Sequence, residues 1–251
     1  MSRADPKVAT VLALDTATPT VSVAVGRAAD GGAVGGSAVR GCGGHPETYM
    51  VQVPAGRSTG ALLPGAVTAA MAEAGVQPGD LSAIAVGVGP GPYTSLRVGL
   101  MFARAAAAAL EIPVVGACSL DVVARGLAAY AGDVIVTLDA RRREVYWARY
   151  NDAGVRVSGP FVGKPADVAA QHAGIEWLEQ VTPSAGVLAE WALTDRLHTS
   201  ELVVAEDDPN GVGGPAVGRA SWVPQTLLAP EPLYLRRPDV MEPPAHTVGL
   251  R

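Results

Sequence analysis

The chain has 251 residues, of which 49% are hydrophobic and 17% are charged, and its formal net charge is -5 at pH 7. A hydrophobic fraction of this size supports a sizeable core, in one large domain or two modest ones. The acidic balance excludes a broad basic surface that would hold nucleic acid, and no apolar run reaches the length that crosses a membrane.

The first predicted element is a β-hairpin. Two apolar segments rich in β-branched residues, 8–15 and 21–26, flank the turn sequence TATPT. A third strand is predicted near residues 34–39. Gly, Pro and polar residues dominate positions 41–58, and this composition predicts an extended loop.

Two long helices are predicted next. The first covers residues 59–74 and stops at Gly75, and the second opens at residue 93 or 94 and continues to residue 110. Thr94 or Ser95 is expected to cap the second helix. Short apolar strands are predicted at 81–88 and directly after Pro113. This alternation of strands and helices predicts an α/β domain with a mixed sheet.

A second copy of the first hairpin occurs about halfway along the chain. In each copy an aspartate is followed six and nine residues later by apolar residues: Val21 and Ala24 after Asp15, and Val145 and Ala148 after Asp139. The two aspartates lie 124 residues apart, which indicates a duplicated domain, although two unrelated apolar hairpins can share this spacing by chance. The predicted lobes are residues 1–117 and 118–251.

Residues 87–97, GVGPGPYTSLR, raise the question of a phosphate-binding loop. A P-loop needs a lysine, and a dinucleotide fingerprint needs a third glycine where Thr94 stands. Pro90 and Pro92 also remove two amide donors, so we expect this loop to gather an anion poorly. We interpret it as a rigid corner between a strand and the second helix.

The first hairpin turn carries Asp15, Thr16 and Thr18, which could hold a metal-nucleotide through carboxylate and hydroxyl groups. An Asx-turn, in which Asp15 binds its own backbone, explains the aspartate equally well. The second hairpin has the turn DARRRE, and the bulky residues 141–143 stand where a phosphate would need close backbone approach. The pattern therefore indicates a vestigial nucleotide loop at most.

Metal and nucleophile signatures are weak. The histidines lack HxxxH or HExxH spacing, and the two cysteines lack CxxC spacing; they are His45, His172, His198, His246, Cys42 and Cys118. No GxSxG signature is found either. The N-terminus has no signal-peptide pattern, so we expect reduced thiols and a cytoplasmic protein.

The two helices are apolar on nearly every side, which predicts that a second domain or another chain covers the face turned away from the sheet. At 100° per residue, Leu62, Ala66 and Ala69 are expected to face the sheet. The candidate partner-binding residues are Ala61, Gly65, Thr68, Met71 and Ala72 on the first helix, and Arg97, Met101 and Arg104 on the second. Gly99, Ala103 and Ala106 are expected to permit close helix contact. A bundle formed within the chain is the alternative.

Four segments together resemble the bacterial TsaB (YeaZ) family: LALDTATPTVSVAV, GVGPGPYTSLRVGL, LDARRREVYWARY and EPLYLR. They occur in the family's order and span most of the chain. Ser58 stands where the family commonly has histidine, and the preceding loop is longer. These departures concern local loop contacts more than the fold.

The resemblance implies an α/β fold of the ASKHA type, the duplicated two-lobed architecture of actin, Hsp70 and sugar kinases, with a truncated second lobe. It implies a non-catalytic partner of the TsaD subunit, which transfers threonylcarbamoyl to the tRNA adenosine beside the anticodon, in a complex that the TsaE ATPase joins. No cofactor of its own is expected, ATP and Mg²⁺ being used by partner subunits, and tRNA is expected to be contacted only through the complex. Self-association of the free chain is left open. The alternatives are an ASKHA-type small-molecule kinase with Asp15 as its magnesium anchor, and a metallopeptidase.

Overall fold

The computed structural model describes residues 9–28, 46–127, 132–179, 181–198 and 228–235, and it places them in two mixed β-sheets with helices packed against them. The strand predicted near residues 34–39 lies outside these ranges, so it stays a prediction. No helix in the described part of the chain is both long enough and apolar enough to cross a membrane.

The first sheet has the strand order β3-β2-β1-β4-β5. Its strands are β1 (Thr10–Asp15), β2 (Thr20–Arg27), β3 (Glu47–Pro54), β4 (Ala83–Gly87) and β5 (Val114–Ala117). The first three strands form an antiparallel meander, β4 pairs parallel with β1, and β5 pairs parallel with β4. Both predicted hairpin strands are confirmed.

The prediction of an extended loop over residues 41–58 is wrong for residues 47–54, which form the edge strand β3. Side chains alternate between a half-buried and an exposed face along this strand: Tyr49, Val51 and Val53 on one face, Met50, Gln52 and Pro54 on the other. This period of two is the signature of a half-buried strand. The strand was missed because the glycines and prolines on either side gave the whole stretch the composition of a loop.

Two long helices cover one face of the first sheet. Helix α1 (Thr59–Ala74) ends at Gly75, whose φ of 64° is the left-handed conformation that glycine adopts at helix ends. Helix α2 (Tyr93–Leu110) follows β4. Both helices match their predicted bounds, but neither Thr94 nor Ser95 caps α2. The residue before the helix is Pro92, and the Ser95 hydroxyl donates to the carbonyl of Pro92 instead.

The second sheet has the order β8-β7-β6-β9. Its strands are β6 (Val134–Asp139), β7 (Val145–Tyr150), β8 (Arg156–Gly163) and β9 (Glu176–Leu178), with the short helices α3 (Ser119–Arg125) and α4 (Pro165–Gln171) beside it. As in the first sheet, three strands form an antiparallel meander and a later strand pairs parallel with the first of them. The two sheets therefore share one topology.

The two hairpin turns repeat an atomic detail as well. The amide of Ala17 donates to Asp15 Oδ1 at 2.8 Å, and the amide of Arg141 donates to Asp139 Oδ1 at 2.8 Å. In register, Asp15 faces Ser22 whereas Asp139 faces Val145, so the second turn is one residue shorter. The shared topology and the shared turn hydrogen bond confirm the duplication predicted from the spacing of the two aspartates. Chance similarity between two unrelated hairpins does not explain them.

The second lobe is the smaller one in the described ranges. Where the 16 residues of α1 connect β3 to β4 in the first lobe, the 7 residues of α4 connect β8 to β9 in the second. The short connection leaves the second sheet with less helical cover. The fold is thus a duplicated α/β architecture of the ASKHA type with a reduced second lobe.

Helix α5 (Ala185–His198) follows the second sheet and packs on the first. Its residues Leu188 and Trp191 are buried against the face of the first sheet opposite α1 and α2. Gly26 on β2 permits this contact, because a methyl group there would lie 2.9 Å from the Ala189 side chain. The first sheet is therefore covered on both faces.

Residues 228–235 link the two lobes. Leu228 forms an isolated antiparallel bridge with Gly116, and the amide of Leu233 donates to the carbonyl of Val88 at 2.8 Å. The same two leucines pack against the cores of both lobes. The division into lobes 1–117 and 118–251 stays a prediction. Helix α5 and residues 228–235 belong to the second range, yet both contact the first sheet or the residues that follow its strands.

Candidate functional site

Asp15 is a buried structural carboxylate with 1% of its surface exposed. The hydroxyl of Ser119 donates to Asp15 Oδ2 at 2.6 Å, and the amide of Ala17 donates to Oδ1 at 2.8 Å. The amide of Gly89 donates in turn to the Ser119 hydroxyl. The Asx-turn interpretation of Asp15 is confirmed, and the carboxylate also joins the first hairpin to the glycine-rich loop.

Burial raises the pKa of Asp15 to about 6, because the charged carboxylate loses its water, and the hydrogen bonds from Ser119 and Ala17 offset part of this cost. The folded-state pKa lies above the unfolded value near 3.9. The folded protein therefore holds the proton more tightly. Its stabilising contribution is complete below the unfolded pKa and is lost as pH rises through about 6.

We expect a pH-dependent difference between the wild-type chain and Asp15→Asn. Between pH 7 and pH 5 the wild type should gain about 1 kcal/mol of unfolding free energy relative to the variant, because only the wild type takes up this proton. Urea denaturation at both pH values measures the difference. Between pH 7 and pH 8 the difference should not change, since Asp15 is ionised throughout. A constant difference from pH 7 to pH 5 would contradict the raised pKa.

Thr16 and Thr18, the other residues of the predicted nucleotide loop, have separate roles. Thr16 is fully buried, and its hydroxyl donates to the carbonyl of Ser95 at 2.8 Å. Gly99 of α2 packs directly onto this hydroxyl, because a methyl group at Gly99 would overlap it. Thr18, unlike Asp15 and Thr16, lines a cleft of about 370 Å³ at the start of α1 and α2. Thr16 thus fastens α2 to the first hairpin turn, whereas Asp15 holds the first residue of α3.

The glycine-rich loop is the strand-to-helix corner that the sequence predicts. Gly89 has a φ of 95°, and Gly91 packs against Ala17 so closely that a methyl group there would lie 2.6 Å from the Ala17 carbonyl. The loop therefore contacts the hairpin turn itself, where a phosphate would sit in a nucleotide-cradling loop.

The outward side of α1 carries four of the predicted contact residues. Ala61, Gly65, Thr68 and Ala72 are all exposed. Met71 is buried, so it belongs to the core instead. Of the three residues expected to face the sheet, Ala66 is buried and Leu62 is half-buried, but Ala69 is exposed. The prediction for Ala69 is wrong because the buried side centres on Leu63, Ala66, Val67 and Ala70.

The outward side of α2 carries Arg97, Met101 and Arg104, at helical spacings of four and three residues. Met101 is 63% exposed, the highest value among the exposed large hydrophobic side chains of the described residues. Gly99 and Ala103 are buried toward the sheet, and Ala106 is half-buried. The small residues of α2 therefore permit close contact with β1 rather than with another helix.

The two helices lie side by side, and a methyl group added at Gly60 of α1 would lie 4.0 Å from the Val98 side chain of α2. Their outward residues form one surface, which we call the exposed helix face: Ala61, Gly65, Thr68, Ala72, Arg97, Met101 and Arg104. Among the described residues these side chains are exposed, and the alternative of a bundle within the chain stays open.

Arg97 is held in place by two tyrosines. Its guanidinium lies 4.1 Å from the ring centre of Tyr93, and its Nε donates to the Tyr234 hydroxyl at 2.9 Å. The two rings stack with centres 4.8 Å apart. Stacking and the hydrogen bond restrict a side chain that otherwise has many rotamers. The segment EPLYLR thereby positions one residue of the exposed helix face, a role that sequence reasoning missed.

A second buried polar group lies in the second lobe. The Tyr150 hydroxyl donates to Asp121 Oδ1 at 2.7 Å, and Arg156 approaches the same oxygen at 3.4 Å. Cys118 is buried nearby, and burial raises the pKa of its thiol to about 12. The thiol is protonated at neutral pH and is therefore a poor nucleophile. This cluster joins α3 to β7 and β8.

Metal-binding side chains do not cluster in the part of the chain that the structure describes, where no three His, Cys, Asp or Glu residues come together. His172 packs edge-on against Trp147. Cys42, His45 and His246 lie outside the described residues, as does the side chain of His198.

Comparison with known proteins places the chain among tRNA-modification proteins. A family model described as "TsaD: tRNA N6-adenosine threonylcarbamoyltransferase" matches residues 53–190. An uncharacterised protein of Mycobacterium tuberculosis (strain ATCC 25618 / H37Rv) is 38% identical over 245 residues, which cover 93% of this chain and 94% of the relative. The tRNA threonylcarbamoyladenosine biosynthesis protein TsaB of Escherichia coli (strain K12) is 40% identical over 73 residues, 28% of this chain and 32% of that protein.

Two solved structures from Pseudomonas aeruginosa are similar in fold. One, described as an uncharacterized protein with similarity to peptidase YEAZ, covers 91% of this chain and 100% of its own, with a TM-score of 0.63 at 21% identity. The other, YeaZ, covers 76% of this chain and 93% of its own, with a TM-score of 0.55 at 24% identity. Both likenesses concern the duplicated α/β fold.

Proposed function

The chain belongs to the TsaB (YeaZ) family, and on that premise we propose that it is a non-catalytic partner subunit in the biosynthesis of tRNA threonylcarbamoyladenosine. Its exposed helix face docks onto the catalytic subunit TsaD, and the TsaE ATPase joins the pair. The complex then transfers threonylcarbamoyl to the tRNA adenosine beside the anticodon. In this proposal ATP and Mg²⁺ are used by the partner subunits, tRNA is contacted only through the complex, and the site of action is the cytoplasm.

The observation that carries the proposal is the exposed helix face. Ala61, Gly65 and Ala72 expose small side chains on α1, and Met101 exposes a long apolar one on α2. Small residues let a facing helix approach closely, and a flexible methionine adapts to the surface it meets. Contiguous apolar surface of this kind marks interaction sites on soluble proteins.

Charge at the edge of the exposed helix face supports a specific partner. Arg97 is already oriented by Tyr93 and Tyr234, so it loses little side-chain entropy on binding. Arg104 lies two turns along the same side of α2. One oriented arginine and a second exposed one beside an apolar stripe favour a partner helix with acidic residues at matching positions.

The names of relatives support the pathway. The similar proteins of Escherichia coli, Bacillus subtilis and Haemophilus influenzae are named tRNA threonylcarbamoyladenosine biosynthesis protein TsaB. With a family model for the threonylcarbamoyltransferase matching more than half of the chain, a role in this modification is the best-supported function.

The kinase alternative requires Asp15 to hold Mg²⁺ beside a nucleotide. The carboxylate is 1% exposed and already binds Ser119 and Ala17, so a hydrated ion cannot reach it without unfolding the turn. The metallopeptidase alternative has its support in the wording of one similar structure's description. No metal-binding cluster in the described ranges favours it.

Reconstitution with purified subunits tests the proposal. The chain alone should neither hydrolyse ATP nor modify tRNA, whereas tRNA incubated with TsaD, TsaE, ATP and threonylcarbamoyl-adenylate should be modified only when this chain is added. Nucleoside analysis of the digested tRNA measures the product.

A preparation of the Asp15→Asn variant serves as the control for contaminating activity. If the Asp15 carboxylate has no catalytic role, the folded variant should support the same yield of modified tRNA in the reconstituted reaction. Turnover by the chain alone that disappears in this variant would contradict the proposal and favour the kinase. Full modification without this chain would contradict it as well.

A further inference from the structure

The way Arg97 is held on the exposed helix face points to one kind of contact in the partner. We propose that the two terminal nitrogens of Arg97 bind a single carboxylate of TsaD end-on, and that Tyr234 is the positioning residue for this contact. The inference rests on the proposed function and deepens it, because it names the group that the exposed helix face recognises. It also makes recognition by α2 depend on a residue 137 positions later in the chain.

The place of Arg97 on α2 brings its guanidinium over an aromatic ring. Tyr93 is the first residue of the helix and Arg97 follows one turn later, so the two side chains lie on the same side. Long helical side chains lean toward the N-terminus, which directs Arg97 toward Tyr93. The guanidinium carbon lies 4.1 Å from the centre of the ring. One flat face of the guanidinium is therefore covered, while the N–H groups at its edges point elsewhere.

The edge of the guanidinium that carries Nε is occupied as well. Nε donates to the Tyr234 hydroxyl at 2.9 Å. The terminal nitrogens of Arg97 make no hydrogen bond or ion pair within the part of the chain that the structure describes. A carboxylate can bind an arginine side-on, through Nε and one terminal nitrogen, or end-on, through both terminal nitrogens. Because Tyr234 occupies Nε, the end-on arrangement is the one that Arg97 presents.

Tyr234 has a defined position relative to α2. Its ring stacks on Tyr93 with the centres 4.8 Å apart. The residue before it, Leu233, donates its amide to the carbonyl of Val88 at 2.8 Å and packs against the cores of both lobes. An arginine that bonds to such a fixed hydroxyl has already lost much of its rotamer freedom before a partner arrives. The hydroxyl of Tyr234 thus acts on binding through Arg97.

A carboxylate on a protein fits this position better than a phosphate of RNA. The planar guanidinium fork matches a carboxylate in shape and charge. Met101 and the small side chains beside Arg97 form an exposed apolar surface that a protein partner covers. A chain of net charge -5 offers RNA no broad basic surface. Docking also excludes water from the contact, and a charged pair is stronger where its surroundings are less polar.

Binding kinetics of the full-length chain and purified TsaD, measured without RNA, test the contact. Arg97→Lys keeps the positive charge but loses the fork that binds both carboxylate oxygens. The dissociation constant should rise about tenfold or more. Because the charge is retained, the association rate should change less than about twofold, and the loss should be in faster dissociation. Biolayer interferometry with immobilised TsaD measures both rates.

Tyr234→Phe tests the positioning role, because it keeps the stacked ring and removes the hydroxyl. The affinity for TsaD should fall about threefold to fivefold. In an Arg97→Ala background the same substitution should change the affinity less than about 1.5-fold, since the hydroxyl acts through Arg97. A role of Tyr234 in folding alone would weaken binding equally in both backgrounds.

The carboxylate itself is identified by amide substitution in the partner. Acidic residues on the surface of TsaD are replaced one at a time by the corresponding amides. One such variant should bind the wild-type chain about tenfold more weakly, and should bind Arg97→Ala with an affinity that changes less than about twofold. A complete set without such a variant would contradict the contact.

Two matched substitutions away from the exposed helix face serve as controls. Arg125→Lys changes another exposed arginine whose guanidinium carbon lies near an aromatic ring, 4.8 Å from the centre of Trp191. Tyr49→Phe removes another tyrosine hydroxyl, which donates to Glu47. Each should change the affinity for TsaD less than about twofold. Thermal melts verify folding, and Arg97→Lys decides the matter if Tyr234→Phe is unfolded.

The outcomes separate this inference from the proposed function. A wild-type chain that does not bind TsaD overturns both. Normal wild-type binding with unchanged affinity in Arg97→Lys overturns the carboxylate contact alone. Equal effects of Tyr234→Phe in both backgrounds overturn the positioning role. A loss in Arg97→Lys that occurs only when tRNA is present assigns the contact to an RNA phosphate and overturns the carboxylate as well.

Discussion

Ala72→Arg should weaken binding to TsaD by about 2 kcal/mol or more, roughly thirtyfold in affinity, while the stability of the free chain changes by about 0.5 kcal/mol or less. Ala72 is exposed on α1, so in the free chain the guanidinium stays in water. In the complex it would be desolvated without a matching counter-ion, in an interface expected to bury on the order of 1,600 Å². Thermal melting and calorimetric titration with TsaD measure the two effects separately.

Ala66→Arg is the matched control, because it makes the same substitution six residues earlier, on the buried side of α1. Ala66 is 4% exposed and packs in the core of the first lobe. The added side chain has no space there, so this variant should lose folding stability itself. Normal TsaD affinity for Ala72→Arg would contradict the docking surface. Unfolding of Ala72→Arg as severe as that of Ala66→Arg would contradict its exposure.

Gly87→Ala should destabilise the free chain by about 3 kcal/mol, because a single methyl group there has no space. Gly87 ends β4 and pairs with Ala117 of β5. A Cβ at this position would overlap the buried carboxylate of Asp15 and lie 3.0 Å from the Ser119 hydroxyl. To make room for the methyl group, the Asp15 side chain would have to move and break its hydrogen bonds, and a buried carboxylate without hydrogen bonds destabilises the fold. Urea denaturation of both proteins at pH 7 measures the loss.

Gly65→Ala provides the control for this substitution. Gly65 lies on the exposed side of α1, and a methyl group there meets no atom within 4 Å. Alanine favours the helix over glycine, so this variant should gain up to about 1 kcal/mol. If Gly87→Ala were as stable as the wild type, the contact of Asp15 with Ser119 could not be the rigid anchor of the glycine-rich loop.

Local patterns predicted the two helices well, because their determinants lie within the helices themselves. The bounds of α1 and α2, the glycine at the end of α1 and the outward position of Ala61, Gly65, Thr68 and Ala72 follow from end signals and the 100° step of a helix. The same step placed Ala69 on the wrong side, because the rotation of a nearly all-apolar helix about its axis is set by the sheet it meets. Strand β3 was missed because its alternation covers only eight residues between glycine-rich and proline-rich neighbours.

The partners of the site residues could not be predicted, because they come from distant parts of the chain. Asp15 binds Ser119 across 104 residues, and Arg97 binds Tyr234 across 137. No short-range pattern links such pairs. The sequence marked the segments of Asp15, Arg97 and Tyr234 as motifs, but not that of Ser119, and only the packing of the two lobes shows that EPLYLR orients an arginine of the exposed helix face.

The sequence by itself determined the duplicated α/β fold, the family and the helices that form the exposed face, since hydrophobic period, helix end signals and motif order are properties of neighbouring residues. Tertiary structure alone decided which of the polar residues reach a cavity. Asp15 looked like a ligand and is buried against Ser119, while Thr59, Arg57 and Arg141, which no motif marked as ligands, line one cleft. Whether a side chain is buried or lines a cleft depends on how the hairpin turns and the helix starts pack together. These elements are distant in sequence, and α5 and residues 228–235 hold the two lobes that carry them together, so no local interaction predicts the contacts.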